Sequence, residues 1–160
     1  MVRESNNRKG EHGGTLIEFA VVATVFFMML IGIVAGSNLY FTHNALVEAT
    51  RRAARFAATQ PSNNTPGTIT TGTNVGPSIT AIRNYAIYGN AAGTGSPLLS
   101  NLQPANVSVE YAGFGVGTGT VSVSITGYNY NFAIPGGNRQ IAMPAYRSTA
   151  TGESAGTFPP

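Results

Sequence analysis

The sequence predicts an α+β protein: one long N-terminal transmembrane helix extending into a small head, which holds a short helix and a three-stranded antiparallel sheet. Three observations predict it. From Phe19 to Val47 there is no Asp, Glu, Lys or Arg. The overlapping stretch from Asn44 to Gln60 holds neither Pro nor Gly and is rich in Ala, the best helix former. The C-terminal part then alternates apolar and polar residues with the period of a strand.

Composition narrows the function classes. Charged residues make up 9% of the 160 residues, against about 25% in an average soluble domain. There is no Asp, while Gly, Thr, Ser and Asn abound, which suits strands and turns on an envelope or secreted protein. The net charge is +3, but the basic residues are scattered or confined to two small clusters. Nucleic acid is therefore not an expected partner, because its recognition wants a dense basic face. Without cysteine there is no disulfide framework and no thiolate metal site.

The first segment, 1–13, is polar, carries Arg3, Arg8 and Lys9 against Glu4 and Glu11, and ends at the pair Gly13-Gly14. It reads as a leader, outside the fold. Segment 14–42 reads as a transmembrane helix. Its densest part, "FAVVATVFFMMLIGIVAG", is supplemented by Thr15, Leu16 and Ile17 in front and "SNLYFT" behind, enough for the roughly 20 apolar residues a span needs. Tyr40 and Phe41 suit the headgroup level. Segment 43–60 reads as an extracytoplasmic extension of the same helix. Ala45, Ala49, Ala53 and Ala57 form a small-residue stripe, with Leu46 and Phe56 on or near that side. Glu48 precedes Arg52 by one turn, while Arg51, Arg52 and Arg55 form the polar side. The helix is expected to end near Gln60, before Pro61.

Segment 61–151 is the α+β head. It opens with a Pro/Gly/Asn/Thr-rich loop, Pro61 to Gly76. "PSITAIRNYAIYG" follows as a short amphipathic helix, with Pro77 in its first turn, Ile79, Ile82 and Ala86 on one face and Gly89 as its stop. After a second loop, Asn90 to Ala105, "NVSVEYA" alternates as a strand. "TVSVSITGYNYNFAI" alternates next, but its apolar phase slips by one at Gly127. The slip predicts a β-bulge or sharp bend at Thr126-Gly127. A "PGG" turn at Pro135 to Gly137 leads to "RQIAMPAYRST", expected at a sheet edge because Pro144 has no N–H to donate. Segment 152–160 reads as a flexible tail.

Candidate chemistry is thin. Gly113, Gly115, Gly117 and Gly119 resemble a nucleotide loop in composition only. Strands flank them on both sides, and no Lys-Ser/Thr pair follows, so they read as a hairpin loop. His12 and His43 are far apart and have no second ligand at helical spacing, so no metal site is expected. The dispersed Glu48, Glu110 and Glu153 supply no acid for a catalytic triad. An enzyme is not expected, nor is any cofactor.

The N-terminal segment is open to three readings. It is a signal peptide cut between Val34 and Ser37, a permanent signal-anchor, or a prepilin-type leader cut before the apolar run. The apolar run is long for a signal peptide's core, and helical sequence continues past that cut. The third reading accounts for Glu18, the one carboxylate at the start of the apolar run. A cut between Gly13 and Gly14 makes Glu18 the fifth residue of the mature chain and Phe19 the sixth. "GTLIEFAVV", followed by "EATRRAARFAA" and later strands ending in "IAMPAY", resembles the TadE-like family of the Tad (Flp) pilus assembly system. The first two stretches carry most of the specificity.

The resemblance implies a bacterial minor pilin or pseudopilin, cleaved by a membrane prepilin peptidase and acting in assembly of adhesive pili. It implies other pilins or pseudopilins, inner-membrane pilus assembly proteins and membrane lipid as partners. It also implies a single-pass location in the cytoplasmic (inner) membrane with an extracytoplasmic head.

Two physical roles remain open for Glu18. Its carboxylate can neutralise the new α-ammonium of Gly14 on a neighbouring subunit. It can instead close a capping box in "TLIE", with Thr15 as N-cap. Gly32 and Gly36 form a G-x-x-x-G spacing that permits close helix contact in lipid. The alternative from another functional class is an uncleaved, membrane-anchored envelope protein whose head binds a ligand or surface polymer.

Overall fold

The computed structural model describes residues 11–65, 67–134 and 137–152. The readings placed on residues 1–10, on 135–136 of the "PGG" turn and on 153–160 lie outside the described residues. The chain forms one long helix with a small α+β head folded against its C-terminal end.

Helix α1 spans Glu11–Ala58, 48 residues, or about 72 Å at 1.5 Å per residue. It is long and apolar enough to cross a membrane, and none of its most apolar stretch is buried inside the structure. Polar residues in that stretch are satisfied by the helix itself. Thr24 donates to the Ala20 carbonyl at 2.8 Å, and Ser37 donates to Ile33 at 2.8 Å. Such back-bonding removes most of the cost of a hydroxyl among apolar neighbours. At the far end, the Thr59 and Gln60 amides bond to Phe56 and Ala57, and Pro61 stops the helix.

Burial along α1 begins at Thr42. From there Leu46, Ala49, Thr50, Ala53, Ala54 and Ala57 are buried. The alanine stripe lets other elements approach closely, and Phe56 stacks on Tyr85 with ring centroids 4.3 Å apart. Tyr85 belongs to α2, Ile79–Tyr88, which buries Ile79, Ile82, Ala86 and Ile87. Gly89 ends α2 with φ 75°, its amide bonded to the Tyr85 carbonyl. The Ser78 hydroxyl, just before α2, donates to Pro61 O at 2.7 Å and ties the starts and ends of the two helices together.

The sheet corrects the expectation of three strands. It has four, β1 (Thr70–Thr73), β2 (Val107–Gly115), β3 (Thr118–Ile125) and β6 (Tyr146–Thr151), in the order β1-β2-β3-β6. All neighbours are antiparallel. Two further strands, β4 (Asn129–Ile134) and β5 (Gly137–Ala142), form a separate hairpin. Val107, Val109, Tyr111, Val121, Val123 and Ile125 point into the core beneath α1 and α2. The outer face is polar. Arg147 reaches Glu110 at 2.9 Å and Ser122 at 3.1 Å across the centre of the sheet.

Three local features explain the difference from the sequence reading. First, β1 lies inside the stretch read as a loop. Thr and Gly there look like loop residues, but side chains organise them: Ser62 and Asn63 bond the Thr70 hydroxyl, and Asn74 exchanges two bonds with Val109. Second, of the bulge or sharp bend expected at Thr126-Gly127 the structure has the bend, and it is a break between sheets. Gly127 takes φ 67°, and Asn106 donates to both the Thr126 and Gly127 carbonyls, pinning the turn-off. Third, "RQIAMPAYRST" divides at Met143 to Ala145. Its first half is β5, and its second half is β6 at the edge of the main sheet.

The glycine-rich stretch is also more strand than loop. Strand β2 runs through Gly115, and β3 resumes at Thr118, leaving Val116 and Gly117 as the turn. Gly119 sits against the bulge opposite it: a Cβ there would lie 2.0 Å from Gly113 O.

Candidate functional site

The residues singled out in the sequence all lie on the exposed part of α1. Gly13 and Gly14 are helical, with nothing within 4 Å of where a Cβ would stand. Glu11, His12 and Gly13, the last three positions of the segment read as a leader, thus lie within α1. Each glycine weakens a helix by roughly 1 kcal/mol relative to Ala, so the pair is a soft point in an otherwise strong helix.

Glu18 is exposed one turn after Gly14 and shares its face of the helix. It is the one charged residue between Gly13 and Val47, and among the described residues it makes no ion pair. Phe19 is 72% exposed. The capping-box reading needs correction for this intact chain. Thr15 stands inside α1, whose described part begins at Glu11, so it is not the residue that starts this helix.

Gly32 and Gly36 are exposed and also meet nothing within 4 Å. The structure therefore places Gly14, Glu18, Phe19 and Gly32 on the exposed part of α1, while Gly36 borders the head across a groove from Ile141 to Pro144.

Chemistry in the head is structural. His43 Nδ1 and the Tyr146 hydroxyl share a hydrogen bond at 2.8 Å, joining α1 to β6. The Tyr128 hydroxyl donates to Ser100 O at 2.8 Å. Burial pushes the Tyr128 phenol up, with the Ser100 bond opposing, and burial pushes Tyr146 up as well. Tyr111 is fully buried, its hydroxyl has no partner among the described residues, and burial pushes its pKa up to about 12. Among the described residues, no three His, Asp or Glu side chains gather as a metal site.

The sequence reading missed the position of the β4–β5 hairpin, which leans on the apolar part of α1. Tyr130 and Asn131 face Leu30, Ile31, Val34 and Asn38 across one groove. Ile141 to Pro144 face Gly36, Leu39, Tyr40 and His43 across another. The usable signal was the phase slip at Gly127, which marked where the chain leaves the main sheet.

A model of the TadE-like protein family matches residues 13–55. No curated protein and no solved structure matches the chain. The family match covers the apolar part of α1 and most of its buried extension, and the rest of the head lies outside it. It contains Gly13, Gly14, Glu18, Phe19, Gly32 and Gly36. Over residues 13–55 this chain is similar to the TadE-like family, where "GTLIEFAVV" and "EATRRAARFAA" carried the resemblance.

Proposed function

We propose that the chain is a non-enzymatic minor pilin or pseudopilin that acts in assembly of Tad (Flp) adhesive pili. A prepilin peptidase cuts it between Gly13 and Gly14. The apolar part of α1 sits in the bacterial cytoplasmic membrane, with the leader on the cytoplasmic side and the head outside. Its partners are that peptidase, other pilins or pseudopilins, inner-membrane pilus assembly proteins and membrane lipid.

One observation carries the reading. A lone carboxylate, Glu18, sits one turn beyond Gly14 on an exposed apolar helix that is continuous with the head. Cleavage frees an ammonium at Gly14, whose reference pKa is about 7.7–8.0. In lipid, an unpaired charge is costly, so Glu18 of one subunit pairs with Gly14 of the next and selects the register of their helices. Gly32 and Gly36 lie further along, where helices can approach closely. The cut removes the turn that precedes Thr15, so the two roles of Glu18 follow one another. Before processing it is an exposed side chain in mid-helix. Afterwards it lies in the first turn, where the helix dipole also favours it.

The test is N-terminal sequencing of the membrane-associated protein. A start at Gly14 is expected. An intact leader, or a start near Ser37, overturns the reading, and an intact leader leaves the anchored ligand-binding protein in its place. Glu18→Gln then isolates the ion pair. The variant is expected to be cut at Gly13 yet to fail in pilus assembly. Assembly at the wild-type level would rule out the pairing.

A further inference from the structure

The β4–β5 hairpin lies beside the end of the apolar part of α1, with Tyr130 of β4 packed against the edge of the head's core. Its groove residues on α1 run from Leu30 to His43. About twenty residues cross the ~30 Å hydrocarbon of a bilayer, and that count from Leu16 ends near Ala35. Once α1 is inserted, the level of the hairpin is therefore the boundary between acyl chains and headgroups.

The hairpin has the composition of that boundary. Cross-strand pairing sets Tyr130 opposite Ile141 and Phe132 opposite Arg139, so these four share one face. Asn129, Asn131, Asn138 and Gln140 take the other. Strand β5 is exposed along its whole length, and among the described residues Arg139 has no ion-pair partner. Aromatic rings with one arginine suit an interface, where the rings meet upper acyl chains and the guanidinium meets phosphate. An open hairpin cannot lie deeper, because its unpaired backbone edges need water or headgroups. The groove between β5 and α1, about 490 Å³, is lined by Gly36, Leu39, Tyr40, Ile141, Met143 and their neighbours. The same helix is apolar and exposed just below it. Leu30 and Ile31, beside the hairpin, are 40% and 41% exposed, against 64% for Met28 and Met29 one step below.

We propose that the β4–β5 hairpin is a membrane-interface element. Phe132 and Ile141, on the face whose Tyr130 packs against the core, and the grooves beside α1 are occupied by phospholipid of the leaflet nearer the head, with Arg139 at the headgroups. The hairpin thereby fixes how deep α1 sits. The inference rests on α1 crossing a membrane.

The chain contains no Trp, so single tryptophans report position without interference. Full-length Phe132→Trp, Ile141→Trp, Val116→Trp and Val25→Trp variants are reconstituted in phosphatidylethanolamine–phosphatidylglycerol vesicles. The lipids are brominated either near the glycerol end or near the methyl end of their chains. Shallow bromines are expected to quench F132W and I141W about three-fold more than V116W at the far β2–β3 turn. Deep bromines are expected to quench V25W.

If V25W is quenched but F132W and I141W both behave like V116W, the interface proposal falls and the membrane reading stands. If V25W is also unquenched, α1 is not in the bilayer and both fall. Unquenched F132W and I141W together with cross-linked dimers at the same dilution would assign the face to a second copy, and so overturn the lipid proposal.

Discussion

Tyr111 is the largest fully buried side chain in the head, and its hydroxyl is unsatisfied. A lost hydroxyl partner costs about 1–3 kcal/mol, so Tyr111→Phe is expected to stabilise the head by about 1 kcal/mol. The phenol is neutral when folded, and burial raises its pKa from 10.0 to about 12. A raised folded pKa means that this contribution is present below pH 10 and is lost as pH rises toward 12. Wild type should therefore lose stability across that window, and the Phe variant should lose less. Thermal unfolding of the detergent-solubilised chain by circular dichroism, at neutral pH and across that window, checks both. A variant less stable than wild type at neutral pH would show that the hydroxyl has a partner after all. Tyr111 was legible from the alternation of "NVSVEYA" as an inward residue, but its orphaned hydroxyl was not. Whether an oxygen finds a partner depends on what folds over it. Glu18 is the opposite case: its oddity is entirely sequential, and the structure adds its exposure and the lack of an ion-pair partner among the described residues.

Among elements, strand β3 depends on one glycine. Gly119 has φ 69°, and a Cβ there would collide with Gly113 O and the Phe114 amide. Gly119→Ala is expected to cost about 3 kcal/mol or more, read as a lower urea midpoint. Gly113→Ala, at φ 59° but with open space around it, is expected to cost only about 1 kcal/mol. Equal losses at the two sites would mean that backbone conformation, rather than the close approach, sets the cost. Both glycines sit in what the sequence presented as a loop. The period-two pattern found β2 and β3 because Val107, Val109, Val121 and Val123 face one core. It failed for β1, whose four residues hold no large apolar side chain and are secured by hydroxyl and amide bonds instead. It also merged β3 with β4, since alternation continues across Gly127 and only its phase records the change of sheet.

At the scale of the whole molecule, α1 does two unlike things in succession. Up to Phe41 it makes little contact with the head apart from the hairpin, and from Thr42 to Ala57 it forms one wall of the core. A fragment of residues 41–160 is therefore expected to fold in detergent-free buffer, with the circular dichroism of the head and faster amide exchange in β4 and β5, which lose Leu30 to Tyr40. A fragment of residues 59–160 is expected to be unfolded, because removing Leu46 and the buried alanines leaves the sheet's apolar face open to water. A folded 59–160 fragment would show that the sheet and α2 suffice without α1.

The sequence by itself determined the long helix, its apolar stretch, the oddly placed Glu18 and the inward faces of α2, β2 and β3. These follow from periodicity and composition, which are local. Only the tertiary structure decided that the main sheet has four strands, that β1 closes it, and that β4 and β5 leave it to lie beside α1. Those outcomes depend on contacts between residues far apart in the chain, such as Asn106 with Gly127 and Asn74 with Val109. No pattern within either segment specifies its partner, so the hairpin beside the apolar helix became visible only once the chain was folded.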